Sequence, residues 1–288
     1  MIVIVGILIV ILSVVGGFLE AGGSLLVLVQ LSEIIIIVGA TIGSLLIAST
    51  PTIIKKMISG VGGLMKGNPF TKAQYLALLK TMFEIFNIAT REGLINIEAH
   101  IETPEKSAIF TKNQFLLHRK SVLEFFTDTL KLLLGGGVPP HDLESLLDAD
   151  IETRHELDAI PAALLQKAGD ALPGLGIVAA VLGIIITMQS IGGAAEEVGK
   201  HVAAALVGTF LGVLLAYGFV NPLATNLENA GRAEMRYFEC VKAGVIAFAK
   251  GTSPTLTVEF ARRVIYEDVR PTFDEVEQAI RSIKQGKG

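Results

Sequence analysis

The chain has 288 residues, 51% of them hydrophobic and only 18% charged, with a net charge of −4. Soluble domains carry about 25% charged residues, so the composition points away from an ordinary soluble fold. The acidic balance and the absence of a basic cluster argue against a nucleic-acid partner. The lone Cys240 excludes an internal disulfide and fits a reducing compartment.

The charge deficit is local. Residues 2–19, 34–54, 171–195 and 202–227 carry no Asp, Glu, Lys or Arg. A hydrocarbon core about 30 Å thick needs roughly 20 apolar residues in a helix, so each window can span a membrane. The first window lacks a basic leader and a small-residue cleavage site, which predicts a retained helix; a cleaved signal peptide is the alternative.

Between the second and third windows, Thr71-Lys-Ala-Gln74 has the form of a capping box. Tyr75, Leu78, Leu79, Met82, Phe83 and Phe86 then recur at helical spacing up to Arg91, with Gly93 as the stop. Thr103-Pro104 predicts a short helix, residues 113–134 a longer one ending at Gly135, and Pro139-Pro140 open a helix running towards the third window. After the fourth window, residues 223–250 continue as helix. Ser253-Pro254 and Pro271 then open two amphipathic helices, whose apolar faces are expected to pack on the insert.

These elements predict an all-α integral membrane protein with four transmembrane helices, a helical insert and a helical C-terminal segment. The divisions are 1–54 for spans one and two, 55–170 for the insert, 171–222 for spans three and four, and 223–288 for the C-terminal helices. Residues 51–170 hold 13 Lys/Arg and residues 223–288 hold 10, which places both blocks, and both termini, in the cytoplasm. The connections 21–32 and 193–201 are then short external turns.

Ala204, Gly208, Gly212 and Ala216 stand four apart in the fourth window, a pattern that lets helix backbones approach closely. Packing within one subunit and packing against a partner both satisfy it. Pro173 and Pro222 fall at the cytoplasmic ends of spans three and four, where each terminates its helix or acts in a hinge or gate. Neither of these spans carries Asp, Glu, Lys, Arg or His at membrane depth, and Glu20, Glu33, Glu196, Lys200 and His201 fall at outer ends. Ion pathways usually need an ionisable group inside the membrane, so this chain reads as a scaffold or as the wall of a path completed by another polypeptide. Thr209 is the main polar side chain at mid-depth; its hydroxyl lines that path or bonds back to its own helix. The acidic run Asp142, Glu144, Asp148, Asp150, Glu152, Glu156 and Asp158 reads as solvated surface or as a subunit or rotor contact. The five histidines show no metal-ligand spacing, and no catalytic set is apparent, so an enzyme is not expected.

The stretches DALPGLGIVAAVLG (170–183) and ALVGTFLGVLLAYGFVNPLAT (205–225) resemble the A subunit of the flagellar stator, the MotA family. GGFLEAGGSLLVL, ETPEKSAIF and VEFARRVIYEDVRPTFDEVE resemble the same family, so the match runs along essentially the whole chain. The TonB and Tol proton-channel relatives share the span-three and span-four pattern but have three spans. The resemblance implies an inner-membrane homopentamer around a dimer of a MotB-like B subunit, whose transmembrane Asp is the missing carboxylate. It implies torque on the rotor protein FliG and no cofactor. Pro173 and Pro222 match the family's functional prolines, and Glu98 matches its rotor-contacting acid. The rotor-contacting Arg falls at Thr90 in ungapped alignment, with Arg91 one residue later and some 100° round the helix. Sodium-driven relatives carry Thr where this chain has Ala180, while Thr209 is shared. Ala180 offers no side-chain oxygen to a dehydrated sodium ion, so the coupling ion is expected to be the proton.

Overall fold

Helices account for every regular element among the described residues of a computed structural model, which are 2–189, Gly192 and 195–285. In chain order they are α1 (Ile2–Glu20), α2 (Leu25–Leu28), α3 (Leu31–Ala48), α4 (Pro51–Leu64), α5 (Lys72–Glu92), α6 (Glu98–Glu102) and α7 (Gln114–His118). Then follow α8 (Lys120–Gly135), α9 (Pro140–Gln189), α10 (Ala195–Val213), a π-helical segment (Leu214–Val220), α11 (Asn221–Ala249), α12 (Pro254–Arg263) and α13 (Phe273–Lys284). Four stretches are long and apolar enough to cross a membrane: Ile2–Glu20, Leu25–Ala48, Pro140–Gln189 and Val198–Ala249. The expected turn at 193–201 is helical from Ala195 onwards, and its residues 193 and 194 lie outside the described residues.

The chain divides into two compact units, residues 1–67 with 158–230 and residues 68–157 with 231–288. The divisions therefore fall past the ends of the apolar windows, and α4 belongs with the spans.

In the first unit α1 buries none of its residues, as expected of a helix whose apolar surface is left for lipid or for another chain. The second apolar stretch is broken at Val29 and Gln30, which are non-helical, Gln30 in an extended conformation. Beyond the break, α3 buries Glu33, Ile37 and Thr41, a stripe of residues four apart. Packed around Ile37 are Leu172 and Ala179 of α9 and Ala216 of the π segment.

The second unit has an aromatic core. Phe86 stacks on Phe248 with centroids 4.5 Å apart, and Tyr75 packs on Tyr237 at 5.1 Å. Fully burying one such side chain contributes about 1.5–3 kcal/mol. Both C-terminal helices, α12 and α13, pack on α5 as expected, with Val258, Val276 and Ile280 buried while Phe273 stays exposed. Arg262 forms a two-pronged ion pair with Glu259, with both contacts at 2.7 Å, and holds that carboxylate below its ordinary range.

Several local expectations are corrected. Thr71 is the N-cap of α5 but makes no side-chain cap. The capping box lies instead at Thr272 and Glu275, where the acid supplies the charged acceptor that Gln74 lacks. The helix expected over 113–134 is broken at Arg119, whose guanidinium lies 4.9 Å from the Phe70 ring centroid and 5.3 Å from that of Phe115. Thr103-Pro104 opens a single 3-10 turn of three residues. The acidic run is more than solvated surface. Glu144 pairs with Lys250 at 2.8 Å, Asp148 with Lys242 at 2.6 Å, Asp150 with Arg154 at 2.8 Å and Asp158 with Lys56 at 3.5 Å.

Candidate functional site

The third and fourth spans cross as closely as their glycines allow. A methyl group on Gly212 would stand 2.6 Å from the Leu172 carbonyl oxygen and 3.0 Å from the Gly176 Cα. One on Gly176 would stand 2.8 Å from the Gly208 carbonyl oxygen. Further along, a methyl group on Gly183 would meet the Ala205 Cβ at 3.0 Å. The small-residue face of α10 is thus used within the subunit, through Gly208 and Gly212, as close backbone packing in a membrane requires.

Pro222 and Pro173 lie about one helical turn apart in depth. Asn221, the residue before Pro222, abuts Gly169, and its Nδ2 donates to Asp170 Oδ1 at 3.1 Å. Gln166 donates to the same oxygen at 2.9 Å. Pro173 is inside α9, as is Pro161, which sequence reasoning passed over. Pro222 stands two residues past the end of the π segment, after Asn221. Proline has no N–H to return to the preceding turn and its ring presses on that turn's carbonyl, so the helix widens from Leu214 to Val220 before resuming. Gly218 lies in the widened stretch, where a methyl group would meet the Val10 side chain of α1 at 3.2 Å.

Thr209 and Ala180 are half-buried. The Thr41 hydroxyl donates to the Ile37 carbonyl and the Thr187 hydroxyl to the Gly183 carbonyl, each within its own helix. The Thr209 hydroxyl makes no hydrogen bond among the described residues.

One expectation fails here. Glu33 does not stay at the outer end of its span: it is 3% exposed, and its Oε2 fills the space where a Cβ on Gly208 would be, 2.6 Å away. The same point lies 3.3 Å from the Ala179 Cβ and from the Ala180 backbone nitrogen. Ala180 is ten residues past Asp170, the last charge before the apolar window, and nine before the end of α9 at Gln189, so the carboxyl lies about 13–15 Å along α9 from either limit of that apolar stretch. An ionisable group therefore does reach membrane depth. Its signal in the sequence was the four-residue spacing with Ile37 and Thr41, which puts all three on one face.

Arg91 and Glu98 are exposed and flank the turn at Gly93, whose φ of 96° suits glycine. Arg91 is in the last turn of α5, where a cation complements the helix dipole, and Glu98 is in the first turn of α6. Neither forms an ion pair among the described residues. Glu98 and Glu102 share a shallow hollow with Lys131. Thr90 donates to the Phe86 carbonyl at 2.7 Å.

Comparison with known proteins gives this geometry a context. Residues 4–93 match the family model of the motility protein A N-terminal region, and residues 118–240 match that of the MotA/TolQ/ExbB proton channel family. Motility protein A of Escherichia coli (strain K12) is 37% identical over 284 residues, which cover 99% of this chain and 96% of that protein.

The chain belongs to the motility protein A family.

Chemotaxis protein LafT of Vibrio parahaemolyticus is 37% identical over 273 residues, covering 95% of this chain and 96% of that one. The flagellar MotAB stator complex of Bacillus subtilis contains a chain with a TM-score of 0.70 at 25% identity, covering 89% of this chain and 92% of that one. The MotAB structure from C. jejuni reaches a TM-score of 0.77 at 19% identity over 92% of this chain and 96% of that one, a likeness of fold. Family membership and the four apolar stretches make this a multi-pass inner-membrane protein. The motility protein A family consists of stator channel subunits.

Proposed function

We propose that this chain is the ion-channel A subunit of a flagellar stator, which couples proton flow through a shared path with a B subunit to torque on the rotor. The observation that carries this reading is the full-length match to motility protein A, joined to the tight crossing of spans three and four beside a free Thr209 hydroxyl. The stator complexes among the structural relatives support an oligomer with a B subunit; we take it to be a pentamer around a B dimer. The B subunit supplies the titrating Asp, and Pro173 and Pro222 form the hinges of the inner gate. The basic residues of 51–170 and 223–288 favour a cytoplasmic position for both blocks and both termini. Protons are favoured over sodium because Ala180 contributes no side-chain oxygen, and a sodium ion shedding water needs several. A TonB- or Tol-type channel shares the third- and fourth-span pattern, but the N-terminal family match over residues 4–93 favours the stator.

Proton uptake into vesicles tests the reading. Vesicles holding this chain together with a B subunit are expected to acidify under an imposed potential, without a requirement for sodium. Vesicles holding either chain alone are expected to stay tight. Flux from this chain alone, or none from the pair, would overturn the shared-path assignment.

Rotor contact is proposed for Arg91 and Glu98, acting on FliG. If Arg91 served only the helix dipole, Arg91→Glu would cost about 0.3–1 kcal/mol of stability and leave torque intact. As rotor contacts, Arg91→Glu and Glu98→Lys are each expected to slow swimming, since exposed pairs contribute only about 0–1 kcal/mol apiece, and together to stop it. Opposite-charge changes on the rotor should restore part of the torque. Absence of any rescue at normal protein levels would return both residues to solvated surface.

A further inference from the structure

Glu33 is the one buried carboxylate among the described residues with an oxygen that finds no partner. Its Oε2 occupies a cradle walled by Gly208 of α10 and by Ala179 and Ala180 of α9, and only the missing Cβ of Gly208 makes room for it. On the two helices around it, residues 172–189 of α9 contain no titratable side chain. On α10 the titratable residues whose side chains are described are Glu196, Lys200 and His201, with Glu196 paired to Lys200 at 2.9 Å. Lys200 and His201 stand eight and seven residues before Gly208, about 12 and 10 Å away along the helix. Among the described residues of these two helices no cation is therefore placed to neutralise a carboxylate in the cradle, and a buried charge without a counter-ion is strongly disfavoured. A leucine there would fill the space without an orphaned polar atom, so the carboxyl calls for a chemical explanation beyond packing.

A break in the helix lies beside it. The chain is non-helical at Val29 and Gln30, three or four residues before Glu33, and Gln30 is a half-buried polar side chain there. Water that reaches the break can reach the acid without crossing a full apolar helix.

We propose that Glu33 is an intramembrane proton-binding site contributed by this chain itself, exchanging its proton with outer water through the break at Val29 and Gln30. In each exchange the carboxyl O–H bond breaks, the bonding pair stays on the carboxylate, and a water takes the proton as hydronium; reprotonation reverses the step. The site stands beside the shared path as a proton-loading station upstream of the B subunit's acid. That placement rests on the proton-channel reading above, whereas proton binding by Glu33 does not.

A lipid-soluble carbodiimide, dicyclohexylcarbodiimide, tests it, because the reagent adds to protonated carboxyls in apolar surroundings. The full complex is treated in native membranes, and adducts are located by peptide mass spectrometry. We expect an adduct at Glu33 that disappears in Glu33→Gln. In the same vesicles, Glu33→Gln keeps the side chain's size, so it should insert at normal levels while proton flux falls roughly tenfold or more; Glu33→Asp should retain part of the flux. An unmodified Glu33 in membranes where another buried carboxyl is labelled would overturn proton binding. Wild-type flux in Glu33→Gln would overturn the loading role. If Glu33→Gln fails to insert, the adduct on the wild-type complex and the flux of Glu33→Asp still decide. An adduct at Glu33 in a wild-type complex that carries no protons would count against the channel reading and leave this site standing.

Discussion

Gly212→Ala is expected to remove most of the protein from the membrane and to stop swimming. The added methyl group would meet the Leu172 carbonyl oxygen at 2.6 Å and the Gly176 backbone at 3.0 Å, and neither is the flexible end of a side chain. The helices must move apart, which breaks the contacts at Gly208 and Gly183 along the same seam. Overpacking in a well-fitted core costs about 1–3 kcal/mol, and a clash with backbone belongs at the upper end. In a membrane no hydrophobic effect pulls the helices back together, because lipid solvates them equally well. The control is Gly174→Ala. Gly174 is exposed with open space where its Cβ would be, so alanine there should be harmless or slightly stabilising, by up to about 1 kcal/mol. Quantifying each variant in membrane fractions and following its thermal unfolding in detergent checks both. Equal levels and equal melting for the two variants would show that the seam is not a determinant of the fold.

Pro222→Ala should have the opposite signature, a protein at least as stable and much less active. Proline inside a helix is disfavoured by about 3 kcal/mol relative to alanine, so the substitution returns an N–H donor and removes the ring's pressure on the preceding turn. The π segment Leu214–Val220 should then relax towards α-helical spacing, rotating the side chains before it relative to those after it. If that widened stretch is the hinge of the gate, stiffening it traps one state. Swimming should fall to a small fraction of the wild-type speed at normal protein levels, and amide exchange across 214–220 should slow. Pro173→Ala, inside α9, should behave alike. Normal swimming in both variants would reduce the prolines to marks of helix shape.

Much of this architecture is legible in one dimension because a membrane imposes a simple rule. Only an uninterrupted apolar helix can satisfy its own backbone across hydrocarbon, so charge-free windows of the right length report the spans directly. The stop at Gly93, the helix opening at Pro140 and the amphipathic C-terminal helices follow from equally local chemistry, which depends on neighbours three or four residues away. The paired small residues of α10 were visible for the same reason.

What local pattern could not supply is which groups face each other. Glu33 looked like a boundary residue because it precedes its apolar run, yet α3 turns it inwards, and the missing side chain at Gly208 draws it to mid-depth. Glu144 and Asp148 looked solvated because their partners, Lys250 and Lys242, are about a hundred residues away in sequence. The π segment has no composition of its own and exists only because a proline follows it in a helix that must continue. The sequence by itself determined the number of spans, their apolar limits and the family, since these depend on hydropathy and on residue identity. Only the tertiary structure decided where the buried carboxyl sits, since a contact between helices depends on their rotation and on the absence of a single Cβ.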